Sequence, residues 1–442
     1  MAAYEEFFKG KKVTVMGLGL LGRGVGDAEF LAQLGAQVLV TDMKSEKELE
    51  ESVEKLKQYA NISFFLGGHR NDDFTKCDMV IKGAGVPLVS PEIKEARAAG
   101  VPVYMSTALF AKFASDVGAK IVGVTGTRGK STVTNMIYHV LQTAPRQSSE
   151  PERQVFLGGN VRGVSTLAML PQIKKDDICV LELDSWQLQG FGDLQISPHV
   201  AVFTNLMPDH LNYYPNMNAY FADKANIFKY QTELDTLVVG DTIIDRVRAE
   251  MPRVNPTLPT TLPLDMQLLI PGEHNRTNAA FAGTALKALK ITEDVIRPGL
   301  ESFPGVEGRL QFIREIRKVK IYNDNNATTP EATIAGLHSF PDRTIILIAG
   351  GADKGLDIDE LVLEIQRTCK RVILLSGTGT TKLQPKLAAG VHDMLAPAVA
   401  DAMEAAKPGD VILFSPAFAS FGMFKNEYDR NDQFLAIVKG LS

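Results

Sequence analysis

Short Val/Ile/Leu runs alternate with helix-length segments along the chain, and that alternation limits the fold more than any other feature. Strands separated by helices cannot close tight hairpins; they build parallel sheets with helices on their faces. A first block runs from Lys11 to about Ser106, with strands KVTVMG, QVLVTD, ISFFLG and MVIKG and amphipathic helices such as Asp27 to Gly35. A second opens with the strand Lys120 to Val124, continues through ICVLEL and VAVFTNL to the helix Asn275 to Leu289, and ends near Glu301. The third starts near Phe303 and contains KIYND, TIILIAGG, RVILLSG and VILFSP. Thr143 to Arg153, with Pro145 and Pro151, reads as a surface loop inside the second block. At 442 residues the chain exceeds one ordinary core. The expected fold is α/β, with three domains in series over 1–106, 107–301 and 302–442, each a mostly parallel sheet with flanking helices.

Charge narrows the partners. With 22% charged residues and a net charge of -5, the chain lacks the basic excess of a general nucleic-acid or membrane-surface binder. Anionic substrates would have to be met by a few placed lysines, arginines and backbone amides. Cys77, Cys179 and Cys369 are far apart and have neither disulfide-framework nor zinc-ligand spacing. Met1 to Lys12 has no signal-peptide core and no stretch reaches membrane-spanning length, so the cytoplasm is the expected location; a monomer is expected, although nothing in the sequence speaks to oligomeric state.

Two glycine-rich turns each follow a strand. Gly17-Leu18-Gly19-Leu20-Leu21-Gly22 comes first, with Asp42 ending the next strand. Such glycines let amides at a helix N-terminus approach a diphosphate while the acid takes a ribose or base; the same pattern also serves a close-packed βα turn without ligand. Gly126-Thr127-Arg128-Gly129-Lys130-Ser131-Thr132 lies between the strand IVGV and a helix expected near Val133. Consecutive amides there cradle phosphates, Lys130 reaches the terminal phosphate, and Ser131 offers a hydroxyl to magnesium. The usual first glycine falls one residue away, at Gly123, with Val124 in its place. We read this turn as an ATP-binding P-loop.

Phosphoryl transfer also needs metal ligands. ICVLEL ends in Glu182, where the acidic partner of a P-loop stands, and the next strand leads to Asp209-His210 and then Lys224. Taken singly, these are equally a loop cap and a solvated lysine; together, after two adjacent strands, they form a candidate magnesium site.

At this point the chain resembles the Mur ligase family. GTRGKST, ELDSWQL, NLMPDHLNYYP and FADKANIF are similar to its central domain, and GEHNRTNAA, EGRLQF, YNDNNATTPEAT, GGADKGLD and SPAFASFGMFKNEYDRNDQF continue the match in order. The N-terminal turn and the GAGVP stretch fit members that add D-glutamate to UDP-N-acetylmuramoyl-L-alanine in peptidoglycan precursor synthesis. The resemblance implies a uridine-diphosphate site on the first block, with Leu18, Leu21, Asp42 and Gly85 at the nucleotide and Asn160, Ser185 and Gln187 on the remainder of the sugar. It implies ATP on Gly126 to Thr132 with Asn275, Arg309 and Asp324, and two magnesium ions held by Ser131, Glu182, His210 and a carbamylated Lys224. Thr328, Lys354, Ser420 and Phe421 would meet the amino acid, and closure of the third domain would bring Arg309 and Lys354 to the ATP. Catalysis would rest on Lys130, Glu182, His210 and Lys224.

Six positions depart from the family pattern: Arg128 stands for Asn, Asp184 for Ser, Trp186 for Phe, Asn212 for Asp, Asn326 for Lys and Glu427 for Phe. The last two remove a cation and add an acid near the acceptor, which bears on which amino acid is joined. A dehydrogenase accounts for the first turn but for neither the P-loop nor the third block. A folate polyglutamating ligase shares the P-loop but lacks the first block. A non-catalytic nucleotide-binding relative conflicts with intact Lys130, Glu182, His210 and Lys224.

Overall fold

Three sheets carry the chain in this computed structural model, which describes residues 2–19, 22–144, 153–210, 213–250 and 255–441. Leu21, Asn212 and most of the expected 143–153 loop lie outside the described residues. The first sheet comprises β1 (Lys12–Met16), β2 (Gln37–Asp42), β3 (Ile62–Leu66), β4 (Met79–Lys82) and β5 (Val103–Tyr104), in the order β3-β2-β1-β4-β5. The second comprises β6 (Lys120–Thr125), β7 (Val155–Gly159), β8 (Ile178–Glu182), β9 (Val200–Phe203) and β10 (Thr236–Val239), in the order β10-β9-β6-β8-β7. Every pairing in both is parallel.

The third sheet has β11 (Gln311–Ile316), β12 (Val319–Asn323), β13 (Ile345–Ala349), β14 (Cys369–Leu375), β15 (Gly390–His392) and β16 (Val411–Phe414), in the order β11-β12-β16-β13-β14-β15. Its one antiparallel pair is β11 with β12. Arg317 and Lys318 between them have φ of 52° and 63°, the two left-handed residues that a tight hairpin turn needs. The third sheet is thus mostly parallel, as expected, with one antiparallel pair at its edge.

Central strands such as β8, β9 and β13 are buried along their whole length. Helices cover both faces of each, so they read as unbroken apolar runs rather than as alternating ones. By compactness the chain forms two units, 1–260 with 281–295, and 261–280 with 296–442. Within the first unit the two sheets share one continuous apolar cluster. The helix Ser106–Asp116 lies in it, burying Leu109, Phe110 and Phe113 together with Phe8 and Leu31 of the first block and Leu181 and Leu188 of the second. Its buried residues surround the helix instead of marking a single stripe, which is how a helix reads when it lies between two layers.

Candidate active site

The phosphate loop is fixed from its far side. Thr127 donates its backbone N–H to Asn205 O at 3.0 Å, and its hydroxyl accepts from Met207 N at 2.9 Å. Arg128 N reaches Asn205 Oδ1 at 2.9 Å, while Thr204 Oγ1 donates to Arg128 O at 2.6 Å. The segment leaving β9 thus clamps the loop leaving β6. Gly126, at φ +144°, leaves no room for a side chain: a Cβ there would lie 2.0 Å from Thr204 Oγ1. Gly129 takes the left-handed N-cap position, so the helix Lys130–Thr143 begins three residues before the expected Val133. Lys130 is its first residue, and Ser131 and Thr132 complete the turn.

Two ammonium groups converge on one carbonyl. Lys130 Nζ donates to Gly126 O at 3.0 Å and to Thr127 O at 3.0 Å. Lys224, on the helix Met217–Ala225, is 1% exposed and donates to the same Gly126 O at 2.9 Å. Burial, with the charge of Lys130 added, lowers the Lys224 amine to about 7. Its Nζ also lies 4.8 Å from the Tyr220 ring centre.

Glu182 closes β8, buried and in register with Val124 of β6 and Gly159 of β7. Asn160 contacts it twice, its backbone N–H on Glu182 O at 2.8 Å and its amide Nδ2 on Oε1 at 3.4 Å. His210 has φ +53°, and its ring lies 4.8 Å from that of Trp186. The Trp186 indole Nε1 is buried with no hydrogen-bond partner. Among the described residues, no group of three or more His, Cys, Asp and Glu side chains is spaced to hold a metal. Magnesium is commonly held by one or two carboxylates with substrate phosphates and water; Glu182 and Ser131, with His210 and a Lys224 made anionic, would be its donors.

At the edge of the first sheet, Asp42 ties down the first glycine turn. Asp42 Oδ2 accepts the backbone N–H of Leu18 at 2.9 Å and of Gly19 at 3.2 Å, and Oδ1 accepts from Lys44 N at 2.9 Å. Those turn amides are engaged by a carboxylate and do not present a cradle for a diphosphate. Gly85, by contrast, has open space where a Cβ would point. Arg23, which the sequence reading passed over, donates to Asn160 Oδ1 at 3.0 Å and so ties the first block to the loop after β7. Ser185 and Gln187 are buried in the helix Ser185–Leu194. Gln187 completes a reciprocal cap with Asp184 and bonds Thr107 Oγ1 at 3.2 Å, so its amide is engaged within the fold.

In the second unit, three loops meet at the C-terminal edge of the third sheet. Ala417 N donates to Ala327 O at 2.9 Å and Ala352 N to Ala419 O at 2.9 Å, joining the segments after β12, β13 and β16. Lys354 Nζ there donates to Thr328 Oγ1 at 2.9 Å, with Ser420 buried nearby in sequence to the largely exposed Phe421. Asp324 accepts from Leu310 N at 3.1 Å and Ser415 Oγ at 2.8 Å, and burial raises its carboxyl to about 7. Asn275 bonds Pro271 O at 2.7 Å. Asn326 contacts Glu307 O, while Asn325 beside it donates to Asn326 Oδ1 and Glu427 O, which puts the two departures from the family pattern on one small network.

Residues 11–105 match the Mur ligase MurD-like N-terminal domain, 124–261 the Mur ligase middle domain, and 308–418 the Mur ligase glutamate ligase domain. The chain is 37% identical to the UDP-N-acetylmuramoylalanine--D-glutamate ligase of Roseiflexus sp. (strain RS-1), over 98% of this chain and 99% of that protein. Among solved structures it resembles UDP-N-acetylmuramate-alanine ligase MurC from Thermotoga maritima, with TM-score 0.58 and 20% identity over 97% of this chain and 99% of that one. MurF ligase from Thermotoga maritima in complex with ADP gives TM-score 0.54 and 18% identity, over 90% and 93%. The two structures, at such identities, bear on the fold alone.

Proposed function

Because the chain belongs to the Mur ligase family, we propose that it is an ATP-dependent ligase joining D-glutamate to UDP-N-acetylmuramoyl-L-alanine in peptidoglycan precursor synthesis. The observation that carries the reading is the pair Lys130 and Lys224 on Gly126 O, beside Glu182, in the loop of a strand–turn–helix built for phosphates. Roles follow from chemistry. A carboxylate oxygen of the alanyl substrate attacks the γ-phosphorus of ATP, and ADP leaves. The amine of D-glutamate then attacks the acyl carbon of the acyl phosphate; the amide forms, inorganic phosphate departs and the amine loses a proton. Lys130, fixed at the first turn of its helix, counters charge that grows on the transferring phosphoryl group. Magnesium, when bound, neutralises phosphate charge, and Ser131, Glu182, His210 and Lys224 are the residues that would hold it.

For that role Lys224 must become an anion. Its amine, lowered to about 7, is substantially neutral at physiological pH and can attack carbon dioxide. An N–C bond forms, one proton leaves, and an anionic carbamate replaces the amine beside Lys130. On the acceptor side, Lys354 with Thr328 and Ser420 would bind the carboxylates of the amino acid, and Arg309, Asp324 and Asn275 would serve ATP.

The test is ATP-dependent phosphate release with UDP-N-acetylmuramoyl-L-alanine across a panel of D- and L-amino acids. D-glutamate should give stoichiometric phosphate and amide. Release with none of them would remove the ligase reading. A second reading, a different amino acid, is favoured by one observation: the Asn325 amide donates to Asn326 Oδ1 and to the backbone O of Glu427, so the two positions that depart from the family pattern are neighbours. Preference for a neutral or basic amino acid in the same panel would establish it.

A further inference from the structure

A nucleotide-sugar held by the first sheet brings two phosphate charges to its C-terminal edge, and this deepening of the function rests on that reading. In an open parallel sheet the ligand sits where the strand order reverses, outside the carboxyl ends of the strands. The order β3-β2-β1-β4-β5 places that point between β1 and β4. The loops leaving these two strands pack against each other there. Gly83 N donates to Met16 O at 2.7 Å, and a Cβ on Gly17 would come within 3.2 Å of Val86 Cγ2. The amides of Leu18 and Gly19 are engaged by Asp42, so positive charge for an anion at this point has to come from elsewhere.

Lys82 supplies it. It is the last residue of β4, 2% exposed, and its Nζ bonds Val86 O at 2.9 Å, under the turn that carries Gly85. No carboxylate among the described residues pairs with it. Asp184, Asp193 and Asp223 are the acids whose charge acts on it, and each is engaged elsewhere: Asp184 caps Gln187 N, Asp193 pairs with Arg97, and Asp223 accepts from Gln189 and Tyr214. A buried ammonium without a paired carboxylate is costly to fold, whereas a diphosphate placed above the turn would complete the pair. Burial lowers the amine only to about 8, so the charge persists at neutral pH.

We propose that Lys82 is a positioning residue for the diphosphate of the nucleotide-sugar: it holds the turn after β4 through Val86 O and provides the fixed positive charge beneath it. The test is calorimetric titration of the full chain with UDP and with uridine, on wild type, Lys82→Met and Lys82→Gln. Lys82→Met removes charge and bond while keeping an apolar stem; Lys82→Gln keeps a donor for Val86 O and removes only the charge. Loss of a charge-assisted contact corresponds to about ten- to a hundredfold in affinity. Both variants should lose that much for UDP while binding uridine within about threefold of wild type. Should Lys82→Met fail to fold, Lys82→Gln carries the test alone. Equal loss for UDP and uridine, or undiminished UDP binding, overturns the proposal. Wild type that binds neither ligand would instead overturn the nucleotide-sugar reading on which it rests.

Discussion

Lys130 and Lys224 donate to one carbonyl oxygen, that of Gly126, at 3.0 and 2.9 Å. Like charges so placed repel, and the site relaxes when one becomes neutral or anionic. Lys130→Ala is expected to lower kcat by about a hundred- to a thousandfold, the range for removing one preorganised group from a developing charge. Phosphate release checks it, with circular dichroism to confirm folding. Lys224→Ala should lose activity and regain part of it with added short carboxylates, and wild type given ¹³C-bicarbonate should show a carbamate carbon that the variant lacks; full activity of the unassisted variant rejects the carbamate. The pH sign follows from the amine lowered to about 7. Between there and the unfolded value of about 10.4 the unfolded chain binds the extra proton, so this group makes stability rise with pH across that window. Urea denaturation of Lys224→Met under carbon-dioxide-free conditions should show a weaker rise. At the acceptor, Asn326→Lys should lower the KM for D-glutamate by about tenfold if the added cation reaches a carboxylate.

At the level of elements, the phosphate loop depends on the strand exit that clamps it. Gly126→Ala would set a methyl against Thr204 Oγ1 in a backbone conformation that side chains rarely adopt. A cost of roughly 1–3 kcal/mol is expected, read as a lower Tm and at least tenfold weaker ADP binding by calorimetry. The P-loop was legible because strand, glycine turn, lysine and helix are adjacent in sequence. β7 was not, since its VFLGG offers two glycines and a short apolar run beside a polar stretch. The β11–β12 hairpin was hidden for another reason: its turn residues Arg317 and Lys318 lack the Gly or Asn that usually marks left-handed positions.

For the whole molecule, the shared cluster of the first two sheets makes a statement about cooperativity. Phe113 is 5% exposed and packs its ring 5.3 Å from Phe7 and 6.3 Å from Phe8. Phe113→Ala should destabilise by about 3–5 kcal/mol, and hydrogen exchange should show β1 and β6 losing protection together. Loss confined to one sheet would mean that the two fold independently. The sequence by itself determined the α/β class, the order of the three sheets along the chain, and the phosphate loop with its lysine, because these depend on periodicity and on residues a few positions apart. Tertiary structure alone decided that Asp42 takes the amides of the first glycine turn, that Lys82 lies buried beneath the turn after β4, and that Lys224 meets a carbonyl 98 residues away. Those partners depend on which strands become neighbours and on what burial does to a charge, and neither is written in the local pattern of any segment.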